Sequence, residues 1–240
     1  MNNKKIKFTA VDKDSWDIAE KPFPAKQAVP EWWKNLSPYV KTAENPSGNK
    51  LIVRDRQTNH GAKKCIPMLD ALTAGYIIPL WTDVYVRQVN GSPEINWKVS
   101  QQVFTVHQPD SREIEPPTGY SNFVIKYHNK WLIHTPKNYS IICTQPFGYR
   151  SSPLHAVPAI VDSDRSSLEL LFPLWLKSDF EGVIEKGTPI AQIIPFKRDS
   201  WNAEFSYLEN EEYRKIEDKN FNSTIVGHYL KNAWSKKDFN

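Results

Sequence analysis

Asp83-Val84-Tyr85-Val86-Arg87-Gln88-Val89 runs into Asn90-Gly91, and beyond that pair Ile95, Trp97 and Val99 alternate with polar residues. Asn-Gly supplies the two positive-φ residues that a two-residue hairpin turn needs, and the flanking β-branched and aromatic residues fit a pleated, half-buried surface. The stretch predicts a β-hairpin and decides how the middle of the chain is read. Further strands are predicted at Phe123 to Tyr127, Trp131 to His134, Tyr139 to Thr144, Ser167 to Phe172 and Ile190 to Phe196, each bounded by Pro, Asn, Asp or Gly. Eighteen prolines against nine glycines punctuate these short apolar runs instead of collecting in one linker, which reads as many strands joined by rigid corners.

Working outward, residues 1–50 carry Pro22, Pro24, Pro30, Pro38 and Pro46 and one short helix in which Pro30 takes a first-turn position ahead of Glu31, Trp32, Trp33 and Leu36. This is a Pro- and Trp-containing arm that wraps or docks. Residues 51–198 form the β domain, and 199–240 a helical extension. In that extension Ile225, Val226, Tyr229, Leu230, Ala233 and Trp234 make one helical stripe, opened by Asn222 or Ser223 and closed by Lys236 and Lys237. Glu204 to Lys219 predicts a second, half-solvated helix.

The 240 residues, 40% apolar and 24% charged, describe a globular chain able to bury a core without a disulfide or metal staple. Cys65 and Cys143 are expected to be reduced packing residues. A net charge of +4 is too small to argue nucleic-acid binding. The longest apolar runs, Leu170 to Leu176 and Ala74 to Trp81, fall short of the roughly 18 residues a membrane helix needs, and Met1 to Lys7 leads into no signal-type stretch, so neither membrane nor secretion is expected. His60, His107, His128, His134 and His155 are scattered without metal-ligand spacing, so no metal site is expected. Walker, GxGxxG and G-x-S-x-G motifs are missing, which leaves P-loop, Rossmann and α/β-hydrolase chemistries without a foothold.

Four segments follow in order: Trp131-Leu-Ile-His-Thr-Pro136-Lys-Asn-Tyr139, Gly148-Tyr-Arg150-Ser151-Ser152, Ala159-Ile-Val-Asp162-Ser-Asp164-Arg165, and Glu185-Lys-Gly187-Thr-Pro-Ile190-Ala191-Gln192-Ile193-Ile194. With a fainter Ala74-Gly75-Tyr76-Ile77-Ile78, they cover roughly residues 66–198 and resemble the trimeric dUTPase and dCTP deaminase superfamily. That resemblance implies a mainly β fold, a β-clip or distorted jelly-roll core. It also implies a phosphate loop at Arg150, Ser151 and Ser152, a sugar-holding, water-activating aspartate at Asp162, and sites built between subunits of a trimer. The whole chain, including Pro30-Glu-Trp-Trp-Lys, Cys65-Ile-Pro67 and Pro195-Phe-Lys-Arg198-Asp-Ser-Trp201, also resembles an uncharacterised family that recurs in marine bacteriophages. This second resemblance implies a phage source and no chemistry.

Departures from the enzyme pattern weigh against catalysis. Arg165 stands where the superfamily has the tyrosine that stacks under the sugar, and Ser167 replaces a glycine. Ile77 or Ile78 replaces an aspartate, and no glycine follows Gly227 to make the tail that closes over a triphosphate. A scaffold can outlive its reaction. If the chain is an enzyme, Asp162, Asp164, Arg150 and Ser151 carry the chemistry, with magnesium as the metal; otherwise no cofactor is expected. Asp162-Ser-Asp164 also reads as a strand-end turn, and Arg150-Ser151-Ser152 as a plain polar loop. Gln192 is either a ligand-binding amide or, in a buried strand, one bonded to backbone. Trp32, Trp33, Tyr229 and Trp234 are the expected interface residues. The expectation is a non-catalytic phage protein acting through assembly, in the virion or host cytoplasm. Its expected partners are itself, as a trimer, and other phage structural proteins. The alternatives are a divergent nucleotide pyrophosphatase or deaminase-like enzyme, and a nucleotide-binding module.

Overall fold

Ile190, Ala191, Gln192 and Ile193 are buried in succession, as happens when both faces of a strand are covered. In the computed structural model of the protein that strand is the middle of a five-stranded sheet. The structure describes residues 4–38, 61–107, 114–166, 169–226 and 229–240, with backbone alone for 219–226. Two compact units emerge, one of Met1–Val29, Leu72–Arg198 and Phe239–Asn240, the other of Pro30–Ala71 and Asp199–Asp238.

The first unit is all antiparallel β among the described residues. Its strands are β1 (Lys7–Ala10), β2 (Phe23–Pro24), β3 (Tyr76–Pro79), β4 (Val84–Val89), β5 (Ser92–Trp97), β6 (Phe104–Val106), β7 (Tyr120–His128), β8 (Trp131–His134), β9 (Tyr139–Thr144), β10 (Leu154–Ala156), β11 (Ala159–Val161), β12 (Leu171–Lys177), β13 (Gly182–Ile184) and β14 (Pro189–Lys197), with a short helix α1 (Lys13–Ile18). They form sheets ordered β11-β9-β14-β3-β2, β10-β12-β7-β6 and β13-β4-β5, and a β1-β8 pair. All share one core, in which Ile78, Ile141, Ile190 and Ile193 meet Tyr127, Leu154, Leu174 and Leu176. Two buried aromatics find partners for their polar atoms: the Tyr127 hydroxyl donates to the Pro79 carbonyl at 2.7 Å and accepts from the Trp81 N–H at 3.1 Å, and the Trp131 indole donates to Glu20 O.

The predicted hairpin is β4-β5, turning at Asn90 (φ 51°) and Gly91 (φ 78°). Strands predicted at 123–127, 131–134, 139–144 and 190–196 coincide with β7, β8, β9 and β14. The strand expected at Ser167 to Phe172 is displaced: β12 begins at Leu171 and continues through Leu174 and Leu176, whose side chains supply its core face, while residues 167–168 lie outside the described residues. Cys143 packs in the core, where burial pushes its thiol up to about 12, but Cys65 is exposed and so is not a packing residue.

In the second unit α2 (Glu31–Lys34) realises the predicted short helix, with Pro30 one place earlier than expected, at the N-cap. Helix α3 (Ile66–Thr73) begins in this unit. The C-terminal helices differ from expectation. One helix, α4, spans Asn210–Val226, and a single wide turn follows at Tyr229–Ala233, so the stripe from Ile225 to Trp234 is not one helix. Charge placement accounts for where the helix starts: Glu211 and Glu212 sit in the first turn and Glu211 pairs with Lys215 at 3.0 Å, so α4 begins within the expected Glu204–Lys219 helix and runs on to Val226. The side chains of Ile225 and Val226 lie outside the described residues. Among the described residues no helix is long and apolar enough to cross a membrane.

One close approach holds β3 to β14. Gly75 has φ +70°, and a Cβ there would lie 1.9 Å from the Ile193 carbonyl oxygen. Gly75→Ala is therefore expected to cost about 2 kcal/mol or more and to lower the melting temperature by roughly 4–8 °C. Gly91→Ala, with open space around its Cβ, carries only the positive-φ cost of about 1 kcal/mol. Equal losses in thermal melts would contradict this account.

Candidate functional site

Three strands of the five-stranded sheet bring the aspartates of the Asp162-Ser-Asp164 motif to one place. Register pairs Val161 with Ile141 and Lys197 with Tyr139, so the end of β11, the start of β9 and the end of β14 lie side by side. Beyond Val161 the chain turns, the Arg165 N–H donating to Asp162 O at 3.1 Å. Both aspartate side chains then meet the first residue after β14, Arg198.

Arg198 grips Asp164 with both arms of its guanidinium, Nη1 to Oδ1 at 2.8 Å and Nη2 to Oδ2 at 2.6 Å. The Asn138 N–H adds a third bond to Oδ2 at 2.8 Å. Asp164 is only 4% exposed, and these donors, Arg198 foremost, hold its carboxyl down at about 2. Asp162 is half exposed: its Oδ1 accepts from the Ser140 hydroxyl at 2.6 Å and lies 3.1 Å from Arg198 Nη1, and the Ser140 bond is the main reason its carboxyl is also lowered. The same two acids hold the guanidinium above its ordinary range. Thr135 extends the network, its hydroxyl 2.7 Å from that of Ser163 and donating to Tyr139 O at 2.9 Å.

Chemically this is a clamp. A carboxylate with three charge-assisted or backbone bonds and a lowered pKa is a poor proton acceptor at neutral pH. The pair also fits a divalent cation badly, because Arg198 already neutralises it. Among the described residues no group of three His, Cys, Asp or Glu side chains is arranged to hold a metal.

The other sequence candidates fall elsewhere. Arg150 and Ser151 form an exposed turn after β9 and make no hydrogen bond or ion pair among the described residues. That turn is tied to the opposite end of β9, where the Gln145 amide donates to Tyr149 O at 3.2 Å. Within one chain, Arg150 and Ser151 therefore do not join Asp162 and Asp164. Ser152 is buried and structural: its carbonyl accepts from the Tyr120 hydroxyl at 2.8 Å, and its hydroxyl from the Leu154 N–H. Gln192 is 1% exposed, donates to Ala74 O at 2.7 Å and accepts from the Phe147 N–H at 2.9 Å, which is the backbone-bonded reading of that amide. Of the expected interface residues, Trp33 is buried with Trp32 edge-on to it, and the Trp234 indole donates to the Asp70 carboxylate at 2.9 Å. Tyr229 and Trp32 are each 41% exposed.

Arg198 is the residue that sequence reading passed over. It lies 34 positions from Asp164 and belongs to no motif with it; only the register of β9 against β14 joins them. No family model, no curated protein and no solved structure matches the chain.

The lowered Asp164 pKa gives a pH signature. A carboxyl titrating near 2 when folded and about 3.9 when unfolded stabilises the fold fully above its unfolded pKa, and that contribution is lost as pH falls through the folded value. The melting-temperature gap between the wild type and Asp164→Asn is expected to stay constant from neutrality to about pH 5 and to close between about 4 and 2. A gap independent of pH would remove the clamp from the stability of the fold. Arg198→Met, which leaves a shielded carboxylate without its cation, is expected to melt several degrees lower than the wild type at pH 7.

Proposed function

We propose that this chain is a bacteriophage protein that acts through assembly on a β scaffold of the dUTPase and dCTP deaminase kind, a β-clip core, and that it does not hydrolyse nucleotides. The observation that carries this reading is the Arg198 clamp: both guanidinium arms hold Asp164, and Asp162, the aspartate that would activate water, is bound by Ser140 and lies beside the same arginine with its carboxyl lowered. The resemblance to a recurrent phage family supports a role in the virion or in an accessory complex. The mainly antiparallel β architecture is compatible with a clip core and does not single it out.

A second reading has one observation in its favour. Arg150 and Ser151 stand exposed in a turn and unpaired among the described residues, as a phosphate-contacting loop requires, so a nucleotide-binding module without hydrolysis is the alternative.

Purified protein incubated with dUTP, dCTP or dTTP and magnesium is expected to release no phosphate or pyrophosphate above background. Release that disappears in Asp162→Asn would establish the enzyme instead. Mass spectrometry of purified phage particles is expected to find the chain in stoichiometric copies, and its complete absence from particles and from complexes with virion proteins would end the assembly reading. A thermal shift with nucleotides that is lost in Arg150→Ala would favour the binding module.

A further inference from the structure

Directly after the Arg198 clamp the chain leaves the sheet and runs without helix or strand through residues 199–209. Trp201 is 89% exposed, Phe205 93% and Tyr207 85%. Residues 200–208 make no hydrogen bond among the described residues. The order Trp201, Ala203, Phe205, Tyr207 against Asn202, Glu204, Ser206 has a period of two, the pattern of a strand with one apolar and one polar face. A segment with strand patterning, no ladder partner among the described residues and three bare aromatic rings is out of keeping with a solitary chain.

The β unit carries a matching receptor. A cavity of about 450 Å³ is lined by Ile95, Trp97, Phe104, Val106, Phe123 and Ile125 among others. Its walls are two sheet edges: β5 ends the order β13-β4-β5, and β6 ends β10-β12-β7-β6. On β6 the bonds from His107 N–H to Val124 O and from His128 N–H to Val103 O aim the odd residues at β7. The N–H and C=O of Val106 therefore face the open edge, and Val106 is 67% exposed. An open edge beside an apolar trough fits an extended peptide that adds as a strand and buries alternate side chains.

We infer that the Trp201–Leu208 arm of one copy adds as a strand to the β6 edge of a second copy, with Trp201, Phe205 and Tyr207 in the trough between β5 and β6. The occupant is a second copy because the same chain carries both halves of the fit, an unpaired aromatic strand and an apolar edge-lined slot. Each large aromatic buries about 150–250 Å², so exchange of two arms, with the walls they cover, exceeds the roughly 1,200 Å² at which stable interfaces begin. This inference rests on the assembly reading and names its first contact.

Light scattering on the full chain is the test. The wild type is expected at a multiple of the 27.8 kDa chain mass at micromolar concentration. Trp201→Ser/Phe205→Ser/Tyr207→Ser is expected at the single-chain mass with an unchanged melting temperature of the body, since these rings are bare in one copy. Phe123→Lys, which places a charge in the trough, is expected at the single-chain mass as well. Mixing the two variants leaves one arm and one slot to each unlike pair, half of the exchange, so association is expected to return in the mixture at concentrations above those the wild type needs, while neither variant associates alone. A wild type that stays monomeric to hundreds of micromolar overturns the inference, as does an arm variant of unchanged mass or a mixture that stays monomeric to hundreds of micromolar. A monomeric wild type that still enters phage particles would overturn the arm exchange and leave the assembly reading intact.

Discussion

Asp164 is nearly closed off from water and ionised, and a shielded charge is tolerated only when its partners replace the solvent it has lost. Arg198 does so with two parallel bonds, and the Asn138 N–H supplies a third. The consequences spread through the sheet. Asn138 is held in a positive-φ conformation (φ 67°) at the turn entering β9, and its carbonyl accepts from the Arg198 N–H at 2.9 Å. The turn after β11 is held from its other side by Ser140 and Thr135. One ion pair thus fixes where three strands begin or end. Such pairs are weak evidence of net stability compared with a well-packed apolar substitute, but strong evidence of specificity, because removing either partner strands the other.

The same pair bears on chemistry. A general base must hold its proton affinity near the working pH and keep a lone pair free for substrate, and Asp164 meets neither condition. Asp162 retains a solvent-facing side, yet it too is lowered by Ser140 and by the shared guanidinium. Hydrolysis on this motif would first have to break the lock that organises the sheet around it. The two carboxylates are part of the structure before they are available to any chemistry.

Local signals were legible where the physics is local. The Asn90-Gly91 turn, the strand at Trp131 to His134 and the buried run at Ile190 follow from turn chemistry and burial pattern within a few residues. Gln192 as a backbone-bonded amide was legible for the same reason, since a polar residue inside an apolar strand must find a partner. The Arg198 clamp was not, because its partners lie far apart in sequence and nothing in either segment marks the other. The C-terminal helix was misplaced for a related reason: the apolar stripe at 225–234 suggested a buried face, while the helix starts among the charges after Asn210 and runs through to Val226.

The arm shows a subtler limit. The period-two pattern at 201–207 stood in the sequence, but Leu208 and Ile216 among many charges invited a helical reading of Glu204 to Lys219 that ran across it. Periodicity reports the shape a segment takes against a partner, and it is silent on whether that partner belongs to the same chain. Trp81 and Trp131 find their partners within the fold, each indole donating to a backbone carbonyl. Trp201 finds none among the described residues, and its immediate neighbours Asn202, Ala203 and Glu204 are exposed as well. A ring left bare among the described residues, in a segment patterned for pairing, is the reason the partner is sought in a second copy.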